Sequence, residues 1–189
     1  MKYAPLALVL FFAFGCGAGL QNETPTTPHL PAVAAYDFWL DPSLSPQSVA
    51  AVQAAVAEWT SYTDVKITLH SGAQVCLDLL ECYSIHEVTQ GPLDKWTDGN
   101  NVGYTVPGFI FLAAGKPAQE VNETAVHELG HALGLWHPCT SPCSNFAVMN
   151  PTYGAGAYHV VCADVAQFFA VRNRSVPSTV TPCSNKPGP

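Results

Sequence analysis

The chain has 189 residues, 48% of them hydrophobic, which suits one domain with a substantial core and argues against two. Fourteen acidic residues face seven basic ones, for a formal net charge of −7. That balance, with no cluster of Lys or Arg anywhere, excludes the electrostatic footprint of a nucleic-acid-binding protein.

Residues 1–15 combine a short start containing Lys2 with an apolar run from Pro5 to Phe14, the layout of a secretory signal and too short for a membrane-spanning helix. Cys16 follows Ala13-Phe14-Gly15 and resembles a lipidated cysteine at a bacterial lipoprotein cleavage site. The alternative is ordinary cleavage near Gly17 to Gly19. Residues 16–31, rich in Thr, Pro and Gly, read as a flexible tether. An exported protein at a bacterial surface is therefore expected. Gly17, rather than Asp, after the cysteine favours an outer membrane where one exists, and membrane contact is expected only through the lipid. Lipidation of Cys16 leaves six cysteines, which an oxidising compartment allows to pair. Cys76 with Cys82, Cys139 with Cys143 and Cys162 with Cys183 is the simplest of fifteen connectivities open to six cysteines. Asn-x-Ser/Thr triplets at Asn22, Asn122 and Asn173 read as accidental in such a protein.

The folded region is expected over 32–174, with a tail over 175–189. Tyr36, Phe38 and Leu40 alternate with Asp37 and Trp39 as in a half-buried strand. Ser45 caps a helix with Pro46 in its first position, and Val49, Val52, Val56 and Trp59 share one face. Val65, Ile67 and Leu69 mark a second strand, and Tyr83 to Val88 a third. From Gly91 to Gly103 the chain reads as a polar surface loop. Asp94, Asp98 and Asn100 offer oxygens to a calcium ion there, but at a spacing that matches no known loop. Val102 to Leu112 alternates weakly around Pro107, which suits an edge or a bulge. A helix starting between Pro117 and Asn122 runs to Leu133, and a short final one spans Ala163 to Arg172. His29, His70, His86 and His159 each stand alone and read as surface or satisfied core.

Residues 127–137 read His-Glu-Leu-Gly-His-Ala-Leu-Gly-Leu-Trp-His. Histidines four apart share a helix face, so His127 and His131 can reach one metal ion. Glu128 stands one step around the helix, suited to touching a water in an open coordination position. Gly134 permits the positive φ of a sharp turn, after which His137 can close the site. Three ligands and a vacancy are the catalytic rather than the structural arrangement. Chance co-occurrence of the five fixed residues is on the order of once in 10^5 such sequences, so coincidence is a poor account.

These residues resemble the metzincin metalloendopeptidases, whose extended zinc motif is followed by a Met-turn. Met149, twelve residues after His137, occupies the place of that methionine. Met149-Asn150-Pro151-Thr152-Tyr153 is most similar to the matrixin branch, which implies that Pro151 and Tyr153 wall a substrate pocket. The switchable tyrosine ligand of the astacin and serralysin branches is absent, because Pro151 takes its place. The loop from Pro138 to Ala147, with Cys139 and Cys143, is longer than in matrixins.

The resemblance implies an α+β fold, a twisted mixed sheet with a zinc-binding active-site helix and a short C-terminal helix. It also implies that the Gly103 to Leu112 region edges the cleft and pairs with extended substrate. One catalytic zinc ion would be held by His127, His131 and His137, with Glu128 as general base and a protein or peptide as substrate of a monomeric enzyme. Structural calcium is possible but unsupported. Two other functions compete: a surface-tethered binding module whose zinc is structural, and a hydrolase of cell-wall peptides.

Overall fold

Alternation of burial along Ala35–Leu40 defines strand β1, with Tyr36, Phe38 and Leu40 buried and Ala35 and Asp37 in solvent, as the sequence pattern requires. The computed structural model describes residues 35–73, 81–96, 102–137, 147–150 and 159–180. The signal over 1–15, Cys16 with its tether, and the C-terminal part of the tail lie outside the described residues, as does Asn22.

Helix α1, Pro46–Tyr62, begins where predicted: the Ser45 hydroxyl accepts from the Ser48 N–H at 3.2 Å and Pro46 takes the first turn. Its buried face is shifted from the valine stripe, because Ser48, Ala51, Val52, Ala55 and Trp59 are buried while Val49 and Val56 are only partly so. Small residues win these positions because α1 packs closely against the metal-motif helix α3, Ala118–Ala132. Trp59 is fully buried, and its indole N–H donates to the Val126 carbonyl at 2.9 Å, tying the two helices together.

Strands β2 (Lys66–Ser71), β3 (Cys82–Val88), β4 (Gly103–Val106) and β5 (Phe109–Ala113) complete a five-stranded sheet of order β2-β1-β3-β5-β4. The first four in that order pair in parallel; β4 is antiparallel to β5 and lies at the edge. With its helices this gives the mixed α+β architecture expected. The weakly alternating segment is therefore a hairpin rather than one strand. Pro107 and Gly108 form its corner, Gly108 at φ +83°, so the proline interrupts the pattern by turning the chain.

The expected polar loop after Gly91 is corrected as well. Gln90–Trp96 forms a short helix α2, whose Leu93 is fully buried against Val102, Tyr104 and Ala113. One buried leucine outweighs the local turn signals, and Pro92 is tolerated in a first turn that needs no N–H from it. The Asp94 carboxylate accepts from Gln90 Nε2 at 2.7 Å, an ordinary helix contact. Asp98 and Asn100, the other calcium candidates, lie outside the described residues. The last helix, α4, spans Cys162–Ala170 and ends through Asn173 at φ +53°. Among the described residues no helix is long and apolar enough to cross a membrane. Cys82 and Cys162 are both disulfide-bonded; Cys76, Cys139, Cys143 and Cys183 lie outside the described residues.

Candidate metal centre

Helix α3 carries His127 and His131 one turn apart, and the turn at its C-terminus brings in the third histidine. Leu133 caps the helix and Gly134 takes φ +82°. The Gly134 N–H donates to the His131 carbonyl at 2.9 Å and the Leu135 N–H to the Gly130 carbonyl at 3.0 Å, the paired bonds of a Schellman motif. Leu135 is buried, which anchors the turn in the core. The chain so reversed places His137 Nε2 3.2 Å from His127 Nε2, with His131 Nε2 3.1 Å from the same atom.

The other ring nitrogens show what these three atoms are for. His127 Nδ1 lies 2.7 Å from the Val148 carbonyl and His131 Nδ1 3.0 Å from the Leu135 carbonyl. A carbonyl can only accept, so each Nδ1 carries the hydrogen and each Nε2 presents a lone pair inward. Converging lone pairs repel unless a cation sits among them. Three corners of a tetrahedron around an ion with Zn–N near 2.05 Å would be roughly 3.3 Å apart, close to the two separations from His127, and all three donor atoms lie within 4.8 Å of one another. The donor set therefore fits a tetrahedral, nitrogen-ligated divalent metal, and it is the one such cluster among the described residues. Burial holds the imidazoles in the neutral, ligating form. It depresses His127 well below the ordinary value, helped by the neighbouring rings, takes His131 down to about 4, and lowers His137.

Glu128 is buried beside the histidines in sequence but faces the edge strand. Its Oε2 accepts from the Thr105 hydroxyl of β4 at 2.6 Å. Burial pushes this carboxyl up to about 7, while the bond from Thr105 pulls it down. The close approach of β4 depends on Gly103, where a Cβ would stand 2.7 Å from both Cγ and Oε1 of Glu128 and 2.5 Å from Thr124 Cγ2.

Below the histidines, residues 147–150 form a turn with Met149 fully buried. A Cβ at Gly130 would collide with Met149 Sδ, so that helix glycine lets the methionine lie against α3. Asp164 holds the turn: its Oδ2 accepts from Val148 N–H at 3.0 Å and from Val161 N–H at 2.9 Å, and its Oδ1 from Met149 N–H at 3.2 Å. Pro151 and Tyr153, the expected pocket wall, lie outside the described residues.

The structure brings together the three histidines expected from the sequence and buries Glu128 and Met149 beside them; the sequence reading did not single out Thr105, Gly103, Gly130 or Asp164, which pack against or bond this region. A polar Thr105 between two larger apolar residues of an edge strand, and an acidic Asp164 in a first turn, were the available signals. Three of the lone histidines have partners away from the metal cluster, and His29 lies outside the described residues. His70 bonds Asp37 at 2.7 Å and stacks on Trp39, His86 faces Asp41, and His159 faces Glu58.

No family model matches the chain, and no curated protein matches it by sequence. Among solved structures, myroilysin superposes with a TM-score of 0.51 at 14% identity, over 79% of this chain and 83% of that one. Two others align less well, each with a TM-score of 0.37 at 14% identity. One is high choriolytic enzyme 1, a hatching-enzyme zinc protease from Oryzias latipes, over 62% of this chain and 54% of its own. The other is archaemetzincin from Archaeoglobus fulgidus, over 70% and 91%. The fold is the metzincin-like one, a mostly parallel five-stranded sheet with helices.

Proposed function

We propose that the chain is a zinc-dependent endopeptidase of the metzincin type, with His127, His131 and His137 as the ligands and Glu128 as the general base. The observation that carries this is the convergence of three imidazoles, two of them oriented by main-chain carbonyls on the helix that also carries a buried carboxyl and the third brought in by the turn after it. Bound there, zinc supplies Lewis acidity, bringing the pKa of water to roughly 7 and favouring negative charge on the scissile carbonyl oxygen.

The remaining work falls to the chain. Glu128, poised near neutrality by its burial, takes the proton of the attacking water and passes it to the departing amine. Edge strand β4 offers main-chain donors and acceptors to an extended polypeptide, which supports an unfolded protein or peptide as substrate. Met149 supports the site from below, and Pro151 and Tyr153 belong to this proposal as its pocket wall. Export with a lipid on Cys16 belongs to it too, supported by disulfides at Cys82 and Cys162, which an oxidising compartment permits.

Hydrolysis of unfolded casein by the full chain, folded oxidatively with zinc, tests the reading. Cleavage that stops on chelation and returns with zinc is expected. Absence of cleavage at one zinc per chain, on casein and on cell-wall peptides alike, would overturn it in favour of a binding module.

A further inference from the structure

Thr105 joins two parts of the site that the proposed reaction treats separately. Just before β4 the Val102 carbonyl accepts from the Ala113 N–H at 2.9 Å. An antiparallel ladder alternates, so Val102, Tyr104 and Val106 turn their main-chain groups toward β5, and Gly103 and Thr105 turn theirs to the open side. No strand among the described residues pairs with that side.

The Thr105 side chain points the other way, under the sheet to α3. Its hydroxyl lies 2.6 Å from Glu128 Oε2 and 3.1 Å from the Glu128 carbonyl, bracketing that residue from both ends. Gly103, with no Cβ, lets the strand lie flush enough for this reach. A carboxyl with three rotatable bonds would otherwise wander at a cost in rate, since general-base catalysis needs its oxygen held within hydrogen-bond reach of the proton.

We propose that Thr105 is a positioning residue: its hydroxyl fixes the Glu128 carboxylate while its main chain pairs with the substrate, so docking and base orientation meet in one residue. This rests on Glu128 being the base.

The test compares Thr105→Val, of nearly the same shape, with Thr105→Ser, which keeps the hydroxyl, in the full zinc-loaded chain on a fluorogenic peptide. Valine is expected to keep one zinc per chain and a KM within about twofold, while kcat falls about ten- to a hundredfold. Serine should restore kcat to within about threefold of the parent. In a Glu128→Ala background, Thr105→Val should change the residual rate by less than about twofold, because the group it positions is gone. Wild-type kcat in Thr105→Val, or a serine variant as slow as the valine one with zinc intact, would overturn the proposal while leaving Glu128 as base. Should valine fail to fold, Thr105→Ala, which also removes the hydroxyl, replaces it in both backgrounds with the same expected outcomes. Full activity in Glu128→Ala would instead remove the reading on which the proposal stands.

Discussion

Asp164 and His127, on different helices, are joined through a single residue. The Asp164 carboxylate holds the Val148 N–H at 3.0 Å, and the Val148 carbonyl accepts from His127 Nδ1 at 2.7 Å. Asp164 is itself buried and also binds the amides of Met149 and Val161, so one carboxylate fixes the turn, starts α4 and sets a ligand's tautomer. Replacement by alanine should strip three N–H groups, two of them buried, of their acceptor. We expect a loss of about 2–4 kcal/mol in stability and zinc affinity weaker by about ten- to a hundredfold, with Asp164→Asn intermediate. Chemical denaturation and competitive zinc titration read the two effects separately, and an unchanged zinc affinity in a folded alanine variant would contradict the link.

Gly134 supplies the left-handed residue that turns the chain from α3 toward His137. An L-residue at φ +82° costs about 1–2 kcal/mol, and relief of that strain would displace His137. Gly134→Ala should thus melt lower than the parent and bind zinc more weakly. His137→Ala, beyond the turn, should weaken zinc without the loss of metal-free stability. Thermal melts of the metal-free proteins separate the two.

Gly130 and Met149 occupy space that only one of them can extend into. Gly130→Ala is expected to destabilise by about 1–3 kcal/mol through overpacking, despite alanine's better helix propensity. Pairing it with Met149→Ala should recover part of that loss, and a double-mutant cycle by urea denaturation measures the coupling. Additive effects would show that the contact carries no such constraint.

Zinc competes with protons for the same imidazole nitrogens. Three imidazoles of ordinary pKa would lose several-hundredfold in combined affinity, roughly, as pH falls from 7 to 5.5. Burial depresses all three here, His131 to about 4, so protons compete less at each than at an ordinary imidazole and affinity should fall less steeply over that range. We expect a change of less than about tenfold between pH 7 and 5.5, measured on Glu128→Gln so that the neighbouring carboxyl does not titrate. A several-hundredfold loss would contradict the depressed values.

Much of this fold was legible because strand and helix periods speak directly in β1, α1 and α3, and the spacing of His127, His131 and His137 foretells the cluster they form. What was missed depends on contacts between distant segments. Leu93 makes a helix of Gln90–Trp96 only because Val102, Tyr104 and Ala113 bury it, and no window along the chain contains that information. Pro107 could be read as an interruption, but whether it bulges a strand or turns one depended on the partner of β4. The same holds at the site. Thr105 and Asp164 matter through residues 23 and 16 positions away, Glu128 and Val148, and their own neighbours give little hint of it.

The proposed mechanism turns on Glu128, the base it places beside a metal held by the three histidines. Zinc content and peptide hydrolysis measured together on Glu128→Ala test this most directly. We predict one zinc per chain, as in the parent, with kcat/KM lower by at least about a thousandfold, near the upper part of the range for a lost general base. A Glu128→Ala protein that keeps its zinc and turns over substrate like the parent would contradict that role.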